Sequence, residues 1–328
     1  MQKFALRISV FLVSLIVIYV AAALLLVRIH KESGSDYMSA IIDKHRLVDS
    51  IKTPKVIFAG GSNIAFGINS EEISRGLQVP VVNLGLHAGL GLSFMLNELQ
   101  STVREGDMVF LSTEYFLGSE GNYKLKRHTS EFYPQAQEYY QRSFIEELNL
   151  HLKSTRDRCT GFLFSHGQAQ EAPSPAAQGG NVYSRAAFNH YGDITAPLNT
   201  TPLNGLRDKK VLQYRDWEGI GELNRFAAFA EAHNVRVFYL YPNYPREEYI
   251  KNKEAINKLE RDLSHNLKIG IVGSTADFIF ENADFYDTVY HLNRLGREKR
   301  TKKIIELIKT HSVVRAGIAV MKTKMAAS

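Results

Sequence analysis

The stretch VIFAGGSNIAFGINS (residues 56–70) decides how this chain is read. Four apolar residues run into Gly60-Gly61, and Ser62-Asn63 then open a segment with helical character. A short apolar run stopped by glycines reads as a buried strand followed by a tight turn. A serine at that turn has two readings: it caps the following helix, or it presents a nucleophile where backbone amides point outward.

Working outward, the same grammar repeats. VPVVNLG (79–85) reads as a second strand and DMVFLSTEYF (107–116) as a third, separated by helices over SEEISRGL (70–77), opened by a Ser70 cap, and LSFMLNELQSTVREG (92–106), closed by Gly106. The alternation resumes with a helix in EGIGELNRFAAFAEAHN (218–234), a strand in VRVFYLYP (235–242) and a helix in REEYIKNKEAINKLERDL (246–263). IGIVGS (269–274) reads as a short last strand and REKRTKKIIELIKTH (297–311) as a closing helix. Strands alternating with helices imply parallel neighbours joined by crossovers. The expected fold is α/β: a doubly wound, mainly parallel sheet of about five strands. Residues 117–215 interrupt it with a large mixed insertion that includes the loop-like GQAQEAPSPAAQGG (167–180).

Residues 8–27 contain no charged residue. Twenty residues at about 1.5 Å each span the roughly 30 Å of hydrocarbon in a bilayer, and the run exceeds the apolar core of a cleaved signal. One transmembrane anchor is therefore expected within residues 1–31. Lys3 and Arg7 before it balance Arg28 and Lys31 after it, so flanking charge does not set its orientation. DYMSAIIDKHRLVDSI (36–51) reads as a membrane-proximal helix. The domain reading is an anchor over 1–31, a first half of the sheet domain over 32–116, the insertion over 117–215, a second half over 216–311 and a tail over 312–328.

The formal charge of +6 is spread without a dense basic stripe, which argues against a nucleic-acid partner. The single cysteine excludes an internal disulfide and a thiolate-rich metal site. The scattered histidines show no ligand spacing, so no metal and no cofactor are expected.

Sites in open α/β sheets gather at the carboxyl ends of the strands. Three stretches lie there. Ser62 follows the first strand. Asn83-Leu84-Gly85 follows the second, where a glycine lets a backbone N–H come close to a neighbouring turn. DFYDTVYHLNRLGREKRT (284–301) precedes the last helix and carries Asp287 and His291. An imidazole base for serine needs its second nitrogen held by a carboxylate, and two residues this close could supply the pair. FNHYGDI (188–194) concentrates Asn189, His190 and Asp193; it reads either as a substrate contact or as a turn around Gly192 with Asp193 as a cap. The insertion aromatics Tyr133, Tyr139, Tyr140, Tyr183 and Trp217 stack on sugars or simply pack. YPNYP (241–245) is a strand-ending turn or a wall of the site.

An early strand-end serine, then a glycine donor loop, then an Asp/His pair before the last helix resembles the SGNH/GDSL-type hydrolases. The resemblance covers residues 55–116 and 222–310. Within that superfamily the chain looks most like membrane-anchored proteins of cell-envelope polysaccharide O-acetylation and the D-alanyl transfer protein of lipoteichoic acid synthesis. The resemblance implies Ser62 as nucleophile, His291 as base, Asp287 as its orienter, and Gly85 with Asn83 at the oxyanion. It implies a serine esterase or O-acyltransferase acting on a cell-envelope or extracellular polysaccharide. The implied partners are that polymer and a multi-spanning membrane O-acyltransferase, with the globular part outside the cytoplasmic membrane.

Two positions depart from the family pattern. Asp and His are four apart rather than three, which leaves Asp284 as an alternative orienter. The third block offers Thr113 and Glu114 in place of an asparagine. An ionised Glu114 would repel an oxyanion, so it is expected in substrate binding or structural pairing. These departures support a second reading, a non-catalytic scaffold of the same fold in a polysaccharide modification or export complex.

Overall fold

The computed structural model describes residues 3–4, 6–15, 17–18, 36–141, 143–146, 148–149, 182–201 and 205–326. Seven strands occur among them: β1 (Val56–Gly60), β2 (Val81–Asn83), β3 (Met108–Ser112), β4 (Arg236–Tyr239), β5 (Tyr244–Pro245), β6 (Gly270–Ile271) and β7 (Ile279–Phe280). Five form one sheet in the order β2-β1-β3-β4-β6, every neighbouring pair parallel. β5 and β7 form a separate parallel pair.

The helices are α1 (Ala40–Ser50), α2 (Ser62–Ala65), α3 (Ser70–Leu77), α4 (Leu92–Thr102), α5 (Tyr123–Phe132), α6 (Gly219–Ala232), α7 (Arg246–Asn266), α8 (Arg294–Thr310) and α9 (Ser312–Ala326). The expected α/β alternation is present, with a mostly parallel five-stranded sheet at its centre. β1 and β3 are buried along their whole length, which is why they read as unbroken apolar runs rather than alternating ones. Phe58, Phe110 and Phe238 stand in register on adjacent strands and stack at 5.1 and 5.6 Å between centroids.

The strand order turns outward in both directions from β1: β2 lies on one side and β3, β4 and β6 on the other. The boundary between β1 and β3 is a topological switch point, where ligands of open α/β sheets bind beyond the carboxyl ends.

Three expectations need adjustment. The cap of α3 is Asn69, whose side chain accepts from the Glu72 amide; the Ser70 hydroxyl instead donates to Asp193 at 2.6 Å. The 312–328 tail is helical over α9 and buries Val314, Ile318 and Met321. The anchor expected over 8–27 is described only in part. Residues 6–15 are helical and exposed, 19–27 lie outside the described residues, and among the described residues no helix is long and apolar enough to cross a membrane. The 167–180 loop and Cys159 also lie outside the described residues.

The described parts of the insertion build a second apolar cluster. Tyr139, Tyr140, Val182, Ala187 and Ile194 pack with Tyr37 and Met38 ahead of α1, with Ile41 of α1 and with Phe66 from the turn after α2. The insertion is thereby fastened to the Ser62 turn itself. Tyr139, Tyr140 and Trp217 are packing residues, the last donating its indole N–H to Leu117 O at 2.8 Å. Tyr133 stacks on the buried His45 ring.

Candidate active site

Gly60 at the end of β1 pairs with Ser112 at the end of β3. A Cβ on Gly60 would lie 2.0 Å from Ser112 O, and one on Gly61 would lie 2.4 Å from the Glu114 carboxyl. Glycine is required at position 60, where the obstacle is the backbone of the third strand's exit; at Gly61 any side chain would have to displace the Glu114 carboxyl. Ser62 then opens α2 behind a Gly61 cap, and no side chain caps that helix. Ser62 is therefore not the helix cap. Its hydroxyl makes no hydrogen bond among the described residues and faces a cavity of about 630 Å³.

His291 lines the same cavity. Its Nδ1 lies 2.8 Å from Asp287 Oδ1, and both residues are buried. The four-residue spacing works because Thr288 makes a turn. Its hydroxyl accepts from the amides of Tyr290 and His291, and the Tyr286 amide closes back on His291 O at 2.8 Å. Asp284, the alternative orienter, is taken by Lys299 at 2.7 and 2.8 Å to its two oxygens. The His291 ring stacks on Phe66 at 3.9 Å and 4° between planes, which fixes its plane.

Asp287 has further partners: Tyr183, expected from the sequence only to stack or pack, and Arg207, which the sequence did not single out. Its Oδ2 accepts from the Tyr183 hydroxyl and from the Arg207 guanidinium, and its backbone carbonyl accepts from the Arg207 amide at 2.8 Å. Burial pushes the Asp287 carboxyl up, but the His291 hydrogen bond and charge, the Tyr183 hydroxyl and the Arg207 charge outweigh it, leaving a net shift downward. Burial and the Asp287 charge push the Tyr183 phenol upward, so it stays a donor. With Asp287 ionised and accepting at Nδ1, the neutral tautomer of His291 has its proton on Nδ1 and its lone pair on Nε2. That nitrogen has no hydrogen-bond partner among the described residues. Ser62 Oγ and His291 are not hydrogen bonded to each other, although they share the cavity.

The glycine donor does not stand as expected. The Gly85 amide donates to Asn83 Oδ1 at 2.8 Å, and the Asn83 amide donates to Ile64 O at 3.1 Å and Asp193 at 2.8 Å. Both are occupied in tying the second strand to the Ser62 turn, and neither offers a free donor to an oxyanion. Asn189 and His190 do not line the Ser62 cavity either; they border a separate depression beside Asp43 and Lys44. The turn around Gly192 is present, but Asp193 does not cap the next segment, whose cap position is Thr195. Asn189 Oδ1 accepts from the amides of Tyr191 and Asp193. Asp193 is wholly buried, accepting from Ser70, Asn83 and Arg297.

Glu114 is at the cavity, beside Ser62. Its Oε1 accepts from the Asn63 amide at 3.3 Å, while Oε2 is buried without a hydrogen-bond partner among the described residues. Beneath the turn, the fully buried Arg300 donates to Asn63 O at 2.6 Å and Ser112 Oγ at 3.1 Å, locking the ends of β1 and β3 together. The cavity wall is aromatic, with Tyr115, Phe116, Tyr244 and Tyr290, and Arg207 and Lys210 stand among its lining residues. Tyr244 makes the YPNYP turn part of that wall. Among the described residues no group of three or more His, Cys, Asp or Glu is arranged to hold a metal ion.

Compared with models of known protein families and with curated proteins, the chain matches none.

Proposed function

We propose that this protein is a membrane-anchored serine esterase or O-acyltransferase of the SGNH type. Its substrate would be an acylated cell-envelope or extracellular polysaccharide, with the globular part outside the cytoplasmic membrane. The observation that carries the reading is the Asp287-held His291 ring, with Nε2 unengaged, sharing a cavity at the switch point with an uncommitted Ser62 hydroxyl. The order of the strands and the chain order Ser62, Asp287, His291 agree with the resemblance drawn from the sequence. The aromatic wall suits a sugar ring, whose faces stack on such side chains.

In the reaction, Ser62 Oγ attacks the acyl carbonyl carbon while its proton passes to His291 Nε2. The imidazolium so formed is stabilised by Asp287. The tetrahedral intermediate collapses, and the departing alcohol oxygen takes the proton from His291, leaving an acyl-serine. Water or a sugar hydroxyl then repeats the sequence in reverse, giving hydrolysis or transfer. A multi-spanning membrane O-acyltransferase is the proposed partner in the transfer case, and no cofactor is required.

The second reading, a non-catalytic scaffold of the same fold, is favoured by two observations: the missing Ser62–His291 hydrogen bond and the occupied Gly85 amide. Hydrolysis of p-nitrophenyl acetate by the full chain, beside Ser62→Ala and His291→Ala, separates the two. Activity lost in both variants with unchanged circular dichroism supports the enzyme. An absence of turnover in all three, also on acylated glycan, supports the scaffold.

A further inference from the structure

The Glu114 carboxyl is the chemical feature that the serine–histidine pair leaves unused. It lies against the Cα of Gly61 on one side of Ser62 and accepts the Asn63 amide on the other. Oε1 is satisfied; Oε2 is buried, has no hydrogen-bond partner among the described residues, and belongs to a residue that lines the cavity. A buried polar oxygen without a partner is rare and points to a ligand or a function. The oxyanion, meanwhile, has lost the donors expected for it, since the Gly85 and Asn83 groups are engaged elsewhere.

We propose that Glu114 is a catalytic residue in its neutral form, its Oε2–H donating to the acyl carbonyl oxygen as Ser62 attack turns that oxygen into an oxyanion. The inference rests on the serine–histidine reading above. When the Ser62 Oγ–C bond forms, the C=O π pair moves onto oxygen and the Ser62 proton goes to His291. Glu114 keeps its own proton throughout and only lends a hydrogen bond, which is withdrawn as the carbonyl re-forms. A carboxylic acid kept neutral by its surroundings can serve where an amide would otherwise stand.

The surroundings favour that form. Burial raises the carboxyl from 4.5 to about 7, against the opposing pull of its own amide, the Asn63 amide and the Arg300 charge. Arg300, from α8, is the cation that works against the neutral form, and it makes no contact with Glu114 short enough to count as an ion pair. The phenols that feel the Glu114 charge, Tyr239 of β4, Tyr290, and Tyr37 ahead of α1, are held in their neutral state by burial, as is the neighbouring Tyr115. Across the cavity stand His291, His87, Arg207, Asp208 and Lys210.

The test is the pH profile of p-nitrophenyl acetate turnover between pH 5.5 and 9, corrected for spontaneous hydrolysis. It uses the full chain as wild type, Glu114→Gln, Glu114→Ala and Ser62→Ala. The wild-type kcat is expected to fall roughly 25- to 50-fold between pH 7 and 9 as the donor is lost. Glu114→Gln, whose amide donates at every pH, keeps its activity at pH 9. Glu114→Ala loses about a hundredfold at pH 6 with KM little changed. Coincident alkaline limbs for wild type and Glu114→Gln, with activity that still depends on Ser62, overturn this proposal alone. Activity that persists in Ser62→Ala overturns the serine–histidine reading and this inference with it. Should Glu114→Ala fail to fold, the nearly isosteric glutamine variant carries the test.

Discussion

The hydroxyl of Tyr183 donates to the same Asp287 whose other oxygen holds His291 Nδ1 at 2.8 Å. A residue of the insertion thus reaches His291, the proposed base, through its carboxylate partner. Removing the hydroxyl in Tyr183→Phe is expected to lower kcat about tenfold, the scale of one charged hydrogen bond, with KM little changed. The same change lets the Asp287 carboxyl rise toward its ordinary value, so its titration, followed by NMR, moves to higher pH. Arg207→Met should move it the same way. Because the Arg207 side chain is 60% exposed, added salt should shift the wild-type Asp287 titration in that direction too.

Asp287→Asn keeps the size of the side chain and removes its charge. The amide favours the wrong tautomer of His291, and kcat is expected to fall roughly ten-thousandfold with the fold intact. Asp284→Asn, which releases Lys299 and weakens the acceptor of the Glu281 amide, should leave kcat within about twofold of wild type. Kinetics of the two variants side by side check the assignment of the orienting carboxylate.

The first four sheet strands and the helices between them were legible because parallel strands, buried on both faces, read as apolar runs punctuated by glycine and polar turns. Ser62, Asp287 and His291 were legible as a candidate site because functional side chains of open α/β sheets collect at the carboxyl ends of strands. Other features were hidden for definite reasons. Four-residue Asp–His pairing depends on the Thr288 turn, which leaves no periodicity to detect. Asn83 and Gly85 occupy the expected places beyond β2, yet the two-residue reach of the Asn83 side chain captures the Gly85 amide before any ligand can. Tyr183 and Arg207 come from irregular chain, where nothing in the pattern indicates what a side chain will touch. Two-residue strands such as β5 and β7 are too short to alternate.

Asp193 and His190 are close in sequence and opposite in expected consequence. Asp193→Ala leaves Arg297 without its partner in the interior and strips Ser70 and Asn83 of their acceptor. A loss of about 3–5 kcal/mol is expected in denaturant unfolding. His190 is exposed, and His190→Ala should change stability by no more than about 0.5 kcal/mol and leave turnover unaltered.

Glu114 also links folding to pH. Its folded value of about 7 stands above the unfolded 4.5, so the native state holds the proton more tightly over that interval. Its contribution to stability is complete below pH 4.5 and is lost as pH rises to about 7, a change on the order of 3 kcal/mol. Urea unfolding of wild type minus Glu114→Gln, measured at pH 5, 6, 7 and 8, should show this decline and then level off. A flat difference would mean that the folded and unfolded values are the same.

The most direct measurement of the central claim is covalent labelling of the native full chain with a fluorophosphonate, which reacts with serines activated by a neighbouring base. Intact mass followed by peptide mapping should find one adduct, on Ser62. It should be absent from Ser62→Ala and strongly reduced in His291→Ala, both folded. Absence of an adduct on the folded wild-type chain, or labelling that survives in Ser62→Ala, would contradict the account.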